Sequence, residues 1–185
     1  MFLQEGYSAA SMDVVAARAN VSKATIYAHF DGKRSLFEAV IRRHAEEAYG
    51  RMALPDQTGP GQMTDVRQIL LALAREVVGL ITQRDSLALY RVVLAEAVRL
   101  PEVGEAFYRA GPAYLRQQVT QLFADLARRG LLHFDQEQAA LVTDLFLSML
   151  SGDCHFRLLI GRTVTPQELS GAAAAAVDLV VARWG

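Results

Sequence analysis

The chain of 185 residues contains one cysteine, five prolines and no long uncharged apolar run. Because Cys154 is alone, an intramolecular disulfide and a cysteine-cluster metal site are both excluded. Acidic residues such as Asp144 and Asp178 interrupt the longest apolar stretches, so the sequence predicts no membrane-spanning helix. The first five residues lack the basic and apolar regions of a signal peptide. We therefore expect a cytoplasmic protein without a membrane partner.

Motifs of catalysis are also missing. The sequence has no phosphate-binding glycine loop, no metal-ligand spacing and no nucleophile motif, and its four histidines are scattered. His155 beside Cys154 would suit a redox or metal sensor, but a neighbouring pair of this kind is more often structural. We therefore expect no enzyme, no metal and no cofactor.

The composition favours a packed helical protein. Hydrophobic residues make up 52% of the chain and charged residues 21%, which excludes disorder by composition. Alanine, leucine, arginine and glutamate dominate the central stretches, and all four are good helix formers. Strand-like alternation with turn signals is missing. The sequence therefore predicts an all-α fold.

Breaker residues and apolar spacing place one linker and the helices. Residues 54–63 hold two prolines and two glycines, and they predict a boundary between an N-terminal domain, 1–53, and a C-terminal domain, 64–185. Apolar residues at helical spacing predict helices over 12–19, 23–30, 33–52, 64–83, 85–100, 102–129 with a break at Gly111-Pro112, 136–157 and 166–183.

Capping residues mark where four of these helices begin. Ser11 and Ser22 are expected N-caps of the two short helices. Residues 135–138 and 165–168 are expected capping boxes, the second with proline at the first helical position.

Positive charge is concentrated near the N-terminus, although the whole chain has a formal net charge of −1. Segment 18–43 holds six basic and two acidic residues, a net charge of +4, whereas 53–185 holds 12 basic and 14 acidic residues. A local basic segment of this kind is either a solvated helical surface or the electrostatic footprint of a DNA-binding site.

Two short helices, a tight turn and a longer helix are typical of a helix-turn-helix unit. Inward positions are expected at Val14, Val15 and Ala19 of the first helix and at Val21, Ile26 and Phe30 around the second. Ala24 and Ala28 lie opposite that core, where small side chains allow a helix to enter a major groove. Hydroxyl groups on Thr25 and Tyr27 can donate to phosphate oxygens.

Segment 5–41 resembles the tetracycline-repressor (TetR) family. The resemblance is carried by Glu5-Gly6-Tyr7, Val15-Ala16, Val21-Ser22-Lys23, Thr25-Ile26-Tyr27, and Phe30 with Lys33 and Leu36. It implies DNA contacts at Ser11, Ser22, Lys23, Ala24, Thr25, Tyr27, His29 and Lys33. Position 13 departs from members that read a base there with arginine, and because Asp13 would repel phosphate we expect no contact from it.

Segment 85–185 resembles an AefR-like subgroup of the same family, through 90–101, Ala106-Phe107-Tyr108, Gly111-Pro112 and 176–179. The resemblance implies a repressor that binds a palindromic operator in double-stranded DNA as a homodimer and senses a small-molecule effector. The last two long helices would form the dimer interface, with contacts expected at Val142, Leu145, Ser148, Gly152, Leu169, Ala173, Ala176 and Val180.

The effector pocket is expected between the central helices, and its effector to be apolar or aromatic. Candidate lining residues are Tyr90, Glu96, Phe107, Tyr114, Phe146 and Met149. Each aromatic ring would also fit a plain core. Glu96 has mostly apolar helical neighbours, so its carboxylate needs either a salt bridge, to Arg99 or another helix, or a role as polar anchor in the pocket.

Two further expectations concern the start of the chain and the alternative class. Met1 to Glu5 correspond to the tail of a first helix stopped by Gly6, so we expect the natural protein to extend upstream by roughly three turns. The alternative to a DNA-binding regulator is a helical adaptor or small-molecule-binding protein without DNA binding.

Overall fold

A computed structural model describes Phe2, Tyr7 and residues 9–50 and 65–185. Within these residues all regular structure is helical, which confirms the all-α prediction. The helices are α1 Met12–Ala19, α2 Lys23–His29, α3 Lys33–Gly50, α4 Val66–Thr82, α5 Arg84–Glu96, α6 Pro101–Ala110, α7 Pro112–Arg128, α8 Ala139–Ser151, α9 Asp153–Leu159 and α10 Pro166–Trp184.

Helices α1 and α2 form a helix-turn-helix whose turn is set by Asn20. This residue has a φ of 54°, in the left-handed region that asparagine tolerates better than most residues, and its N–H donates to carbonyls of the last turn of α1. The Oγ of Ser11 accepts from the backbone N–H of Asp13, and the Oγ of Ser22 accepts from that of Thr25. Both predicted N-caps are therefore confirmed.

A small core lies between α1, α2 and the start of α3. Met12, Ala16 and Ile26 are buried, with Val15, Phe30 and Leu36 packed partly against them. Val14 and Val21, expected to point inward, are instead 42% and 41% exposed, and Ala19 is also exposed. The prediction was wrong at these three positions because Met12 and Ala16, one turn apart, turn α1 toward α2.

Two compact units can be described separately. The first comprises residues 1–50 and 84–112, and it includes α1, α2, α3, α5 and α6. Its main element is α3, which packs on α5 and α6. The buried face of α3 repeats every four residues and consists of Phe37, Ile41, Ala45 and Tyr49.

The second unit comprises residues 51–83 and 113–185. Helix α10 packs on α4 and α8, and α4 packs on α8. The phenyl rings of Phe123 and Phe146 meet edge to face, with centroids 5.5 Å apart. Helices α4, α8 and α10 also bury aliphatic side chains between them, which include Leu73 and Val177.

The helix predicted over 136–157 is interrupted. Residues Gln136–Gln138 form a single 3-10 turn, α8 ends at Ser151, and α9 starts after Gly152. The side chain of Asp135 forms no capping hydrogen bond, because the N–H of Gln138 that it was expected to bind donates to the backbone carbonyl of Asp135 at 2.7 Å. The capping box predicted there was therefore wrong.

Two other predicted helix boundaries are confirmed. The break at Gly111-Pro112 separates α6 from α7. At the start of α10, the Thr165 side chain accepts from the Glu168 backbone and the Glu168 carboxylate accepts from the Thr165 backbone, so this capping box is confirmed. The predicted linker 54–63 and the helix stop at Gly6 lie outside the described residues, and the domain bounds 1–53 and 64–185 stay predictions.

Candidate DNA-binding surface and effector site

Helix α2 exposes nearly all of its side chains. Ile26 is its single buried residue, while Lys23, Ala24, Thr25, Tyr27, Ala28 and His29 are exposed. The structure thus brings together on one short helix five of the side chains expected to contact DNA. The two alanines leave room for close approach by another surface, and the polar side chains flank them.

The predicted contacts Ser11 and Ser22 are exposed caps at the N-terminal ends of α1 and α2. Ser22 Oγ lies 2.8 Å from Thr25 Oγ1 as well as 3.0 Å from the Thr25 backbone nitrogen. These hydroxyl groups therefore shape the ends of the two helices, and they remain at the surface where a phosphate could reach them.

An ion pair that the sequence did not predict joins the two helices. Lys23 Nζ lies 3.0 Å from one carboxylate oxygen of Asp13 and 3.1 Å from the other. The hydrogen bond to Asp13, with the attraction of its charge, raises the pKa of the Lys23 ammonium. A separation of ten residues across a turn follows no helical spacing rule, so no sequence pattern indicates the contact.

Lys33 begins α3, and its Nζ lies 4.6 Å from the ring centroid of Tyr7. This cation–π contact fixes the ammonium at the first turn of the helix, where the dipole also favours an anion. The next residue, Arg34, forms a 3.1 Å ion pair with Glu102 of α6 within the same unit.

Three of the residues predicted for the effector pocket lie in the first unit. The rings of Tyr90 and Phe107 meet edge to face, 4.9 Å apart. The hydroxyl of Tyr90 lies 3.1 Å from that of Tyr49 on α3, a partner that the sequence did not predict. Burial raises the pKa of both tyrosines, so both phenols stay protonated at neutral pH.

Glu96, the third of these, is buried at the end of α5. Its backbone carbonyl accepts from the amides of Arg99 and Leu100. Among residues 9–50 and 65–185 its carboxylate forms no ion pair, so the salt bridge to Arg99 that was one alternative is not made there. Its role as a polar anchor stays a prediction.

The other three predicted pocket residues lie in the second unit. Phe146 is fully buried against Phe123, Met149 is half-buried, and Tyr114 is 42% exposed. An open cleft of about 1050 Å³ in the first unit lies between α1, α3 and α5. Its described lining, which includes Val15, Leu36 and Val40, contains none of the six predicted pocket residues.

The residues predicted for the dimer interface fall into two groups. Val142, Ala173, Ala176 and Val180 are buried by the helices of the chain itself. Leu145, Ser148 and Gly152 are exposed, and Leu169 is half-buried. The exposed leucines on α8 and α10 are Leu141, Leu145 and Leu179, at 57%, 45% and 60% exposure, and Leu145 among them is one of the predicted interface residues.

His155 and Cys154 show no arrangement for metal binding. His155 is buried on α9, and this burial lowers the pKa of its imidazole. Over residues 9–50 and 65–185, acidic, histidine and cysteine side chains nowhere gather in groups of three that could hold a metal ion. In the same part of the chain no helix is long and apolar enough to span a membrane.

Sequence profiles of protein families match both ends of the chain. Residues 1–40 match the family described as bacterial regulatory proteins, tetR family. Residues 68–185 match the family described as AefR-like transcriptional repressor, C-terminal domain.

Individual relatives agree with these profiles. The chain is 48% identical over 46 residues to the HTH-type transcriptional activator FasR of Mycolicibacterium smegmatis, a match covering 25% of this chain and 21% of that protein. The structure of the flavonoid-responsive regulator FrrA superimposes with a TM-score of 0.80 at 26% identity, covering 99% of this chain and 90% of that one. A TetR-family structure from Mesorhizobium loti gives 0.84 at 25% identity, covering 100% and 91%.

Proposed function

The chain belongs to the tetR family of bacterial regulatory proteins, and we propose that it is a repressor released from its operator by a small aromatic molecule. Regulators of this family bind DNA and act as dimers with small-molecule effectors. The proposal assigns DNA binding to the exposed face of α2 with its flanking caps, and effector binding to the C-terminal domain.

The observation that carries DNA binding is the exposure of α2. A helix of seven residues with one buried side chain contributes little to a core, yet its outer face combines two alanines with Lys23, Thr25, Tyr27 and His29. Alanine methyl groups can contact thymine methyl groups, and the hydroxyl and ammonium groups can bind phosphate. A solvated structural helix would need none of this arrangement.

Repression rather than activation is supported by the family profile that matches the longer part of the chain. The repressor profile covers residues 68–185, whereas the match to the activator FasR covers 46 residues. The sensing domain couples effector binding to DNA affinity, so its subgroup is the better guide to the direction of regulation.

Homodimerisation and a palindromic operator follow from one another. Two copies of α2 reach successive major grooves only if a dimer holds them about one helical turn of DNA apart, roughly 34 Å. The exposed leucines on α8 and α10 supply an apolar surface for that dimer. A regulator that binds an operator acts at the chromosome, so we place the protein in the cytoplasm. We assign it no catalytic role.

An aromatic effector is supported by two observations. The related regulator FrrA is named flavonoid-responsive. In this chain, the half-buried Tyr90 and the buried Phe107 form an aromatic pair, and Tyr49 adds a phenol hydroxyl to it. Binding would favour one of two conformational states and shift the population away from the state that fits DNA.

The test uses the duplex upstream of the protein's own gene, because such regulators often control neighbouring genes. Fluorescence anisotropy should detect binding at nanomolar to micromolar protein. Naringenin, a flavonoid, should raise the melting temperature of the protein and weaken its DNA binding, whereas cyclohexanol should do neither. Tighter DNA binding with naringenin would contradict release by an aromatic effector, and lack of DNA binding would favour the alternative of a sensor that does not bind DNA.

A further inference from the structure

We propose that the ion pair between Asp13 and Lys23 reads a cytosine–guanine base pair in the operator, with Asp13 as a specificity-determining residue. The inference rests on the proposed function, and it reverses the expectation that Asp13 makes no contact with DNA.

The position of the pair places it at the surface that the proposal assigns to DNA. Asp13 is the second residue of α1, and Lys23 is the first residue of the exposed helix α2. Their side chains are 73% and 47% exposed, so both remain accessible while they are in contact. Neither group is needed for the small core beside them, which consists of Met12, Ala16 and Ile26.

An exposed acid at such a surface has few favourable partners on DNA. A carboxylate only accepts hydrogen bonds, and phosphate oxygens also only accept, so the sugar–phosphate backbone repels it. In the major groove the donors are the amino groups of cytosine N4 and adenine N6. The adenine amine lies between two acceptors, N7 and the thymine O4, whereas the cytosine amine has an acceptor on one side only.

The ion pair as a whole matches the edge of a C·G base pair. That edge presents one donor, cytosine N4, followed by two adjacent acceptors, guanine O6 and N7. Asp13 Oδ1 lies 3.0 Å from Lys23 Nζ, so an acceptor and a donor stand side by side on the protein. With the carboxylate over cytosine N4, the ammonium lies toward guanine O6 and N7, the atoms that lysine commonly binds.

The experiment selects preferred duplexes from a random-sequence library with the purified full chain and its variants. The parent should require a C·G pair at one position of each half-site. Asp13→Ala should lower discrimination at that position about tenfold, the effect of losing one base-specific contact. Asp13→Asn should move the preference from cytosine to adenine, because an amide pairs with adenine N6 and N7.

The matched control is Asp31→Asn, which removes the same charge from an exposed acid in the same basic segment. It should leave the selected sequence unchanged. If Asp13→Ala selects the same sequence as the parent and binds all duplexes more tightly, Asp13 only weakens phosphate binding and the inference is overturned. A parent that selects no sequence would overturn the proposed function and this inference together.

Discussion

At the scale of single residues, Tyr49 is a side chain closely confined by its surroundings. Only 4% of it is exposed, and its hydroxyl lies 3.1 Å from that of Tyr90. Its ring also lies against the backbone at Gly111, where a Cβ atom would come within 2.6 Å of Tyr49 Cε2 and 3.0 Å of Cδ2. Glycine is therefore required at position 111 by the ring that packs on it.

Gly111→Ala should destabilise the protein by about 1 to 3 kcal/mol, because the added methyl group forces the buried ring to shift. Thermal or urea unfolding measures the change. Gly79→Ala is the control, since a Cβ atom at this exposed position in α4 meets nothing within 4 Å. That change should stabilise the helix by about 0.5 to 1 kcal/mol. Equal effects of the two substitutions would show that the contact at Tyr49 is not tight.

The sequence predicted Gly111 as a helix break but not as a packing position. Helix breaks follow from local rules, because Gly and Pro change the backbone where they stand. The contact with Tyr49 joins two helices that are distant along the chain, and no local pattern encodes it. The ion pair of Asp13 with Lys23 crosses the turn between two consecutive helices, where no helical spacing rule applies.

At the scale of helices, the capping box of α10 is reinforced by a third group. The backbone N–H of Thr165 donates to Glu168 Oε2 at 2.8 Å, and Arg157 Nη1 donates to Glu168 Oε1 at 2.7 Å. The backbone of Thr165, then Arg157 and the Thr165 hydroxyl lower the pKa of the Glu168 carboxyl to about 2. The charged carboxylate is therefore the form that holds the start of α10.

Because this pKa is lowered on folding, its contribution to stability is complete above the ordinary value of 4.5 and is lost as the pH falls toward 2. Carbon-13 NMR should show Glu168 titrating near pH 2 in the parent. In Arg157→Ala the pKa should rise but stay below the ordinary value, since the Thr165 backbone still donates. A Glu168 that titrates near 4.5 in the parent would mean that the box is open in solution.

Capping could be predicted where the local motif was complete. Thr165 combines a proline at the first helical position with a glutamate at the third, and both features act within one turn. Asp135 has only the three-residue spacing to Gln138. The backbone N–H of Gln138 closes a 3-10 turn instead of binding the Asp135 side chain. The interruption at Gly152 was not predicted, because an isolated glycine inside an apolar helical pattern is tolerated at a cost of about 1 kcal/mol.

At the scale of the whole molecule, the sequence predicted the family and fold but not which face of α10 points inward. The run 172–176 is alanine throughout, so the apolar pattern has no preferred side. In the structure Ala173, Ala176 and Val180 pack within the chain, while Leu179 is 60% exposed. Periodicity alone cannot separate a face buried in the subunit from one buried by a partner when both are apolar.

Leu179→Glu should therefore separate the dimer, because it places a charge in an apolar interface, and we expect the dissociation constant to rise about 100-fold or more. Light scattering coupled to size exclusion measures the mass. Leu94→Glu is the control, since Leu94 is similarly exposed at 62% but lies on α5. Ala173→Glu, by contrast, should unfold the subunit rather than merely separate two copies. A parent that is monomeric at micromolar concentration would contradict the interface.

The most direct test of the account is the salt dependence of operator binding by the parent and by Lys33→Ala. Anisotropy titrations at several salt concentrations should give a log–log slope for the parent that reflects several phosphate contacts. In Lys33→Ala the slope should flatten by about one unit, with weaker binding to every sequence. Two results would contradict the proposed DNA-binding surface. One is a parent whose DNA affinity does not change with salt concentration, and the other is a variant that binds DNA as tightly as the parent at moderate salt.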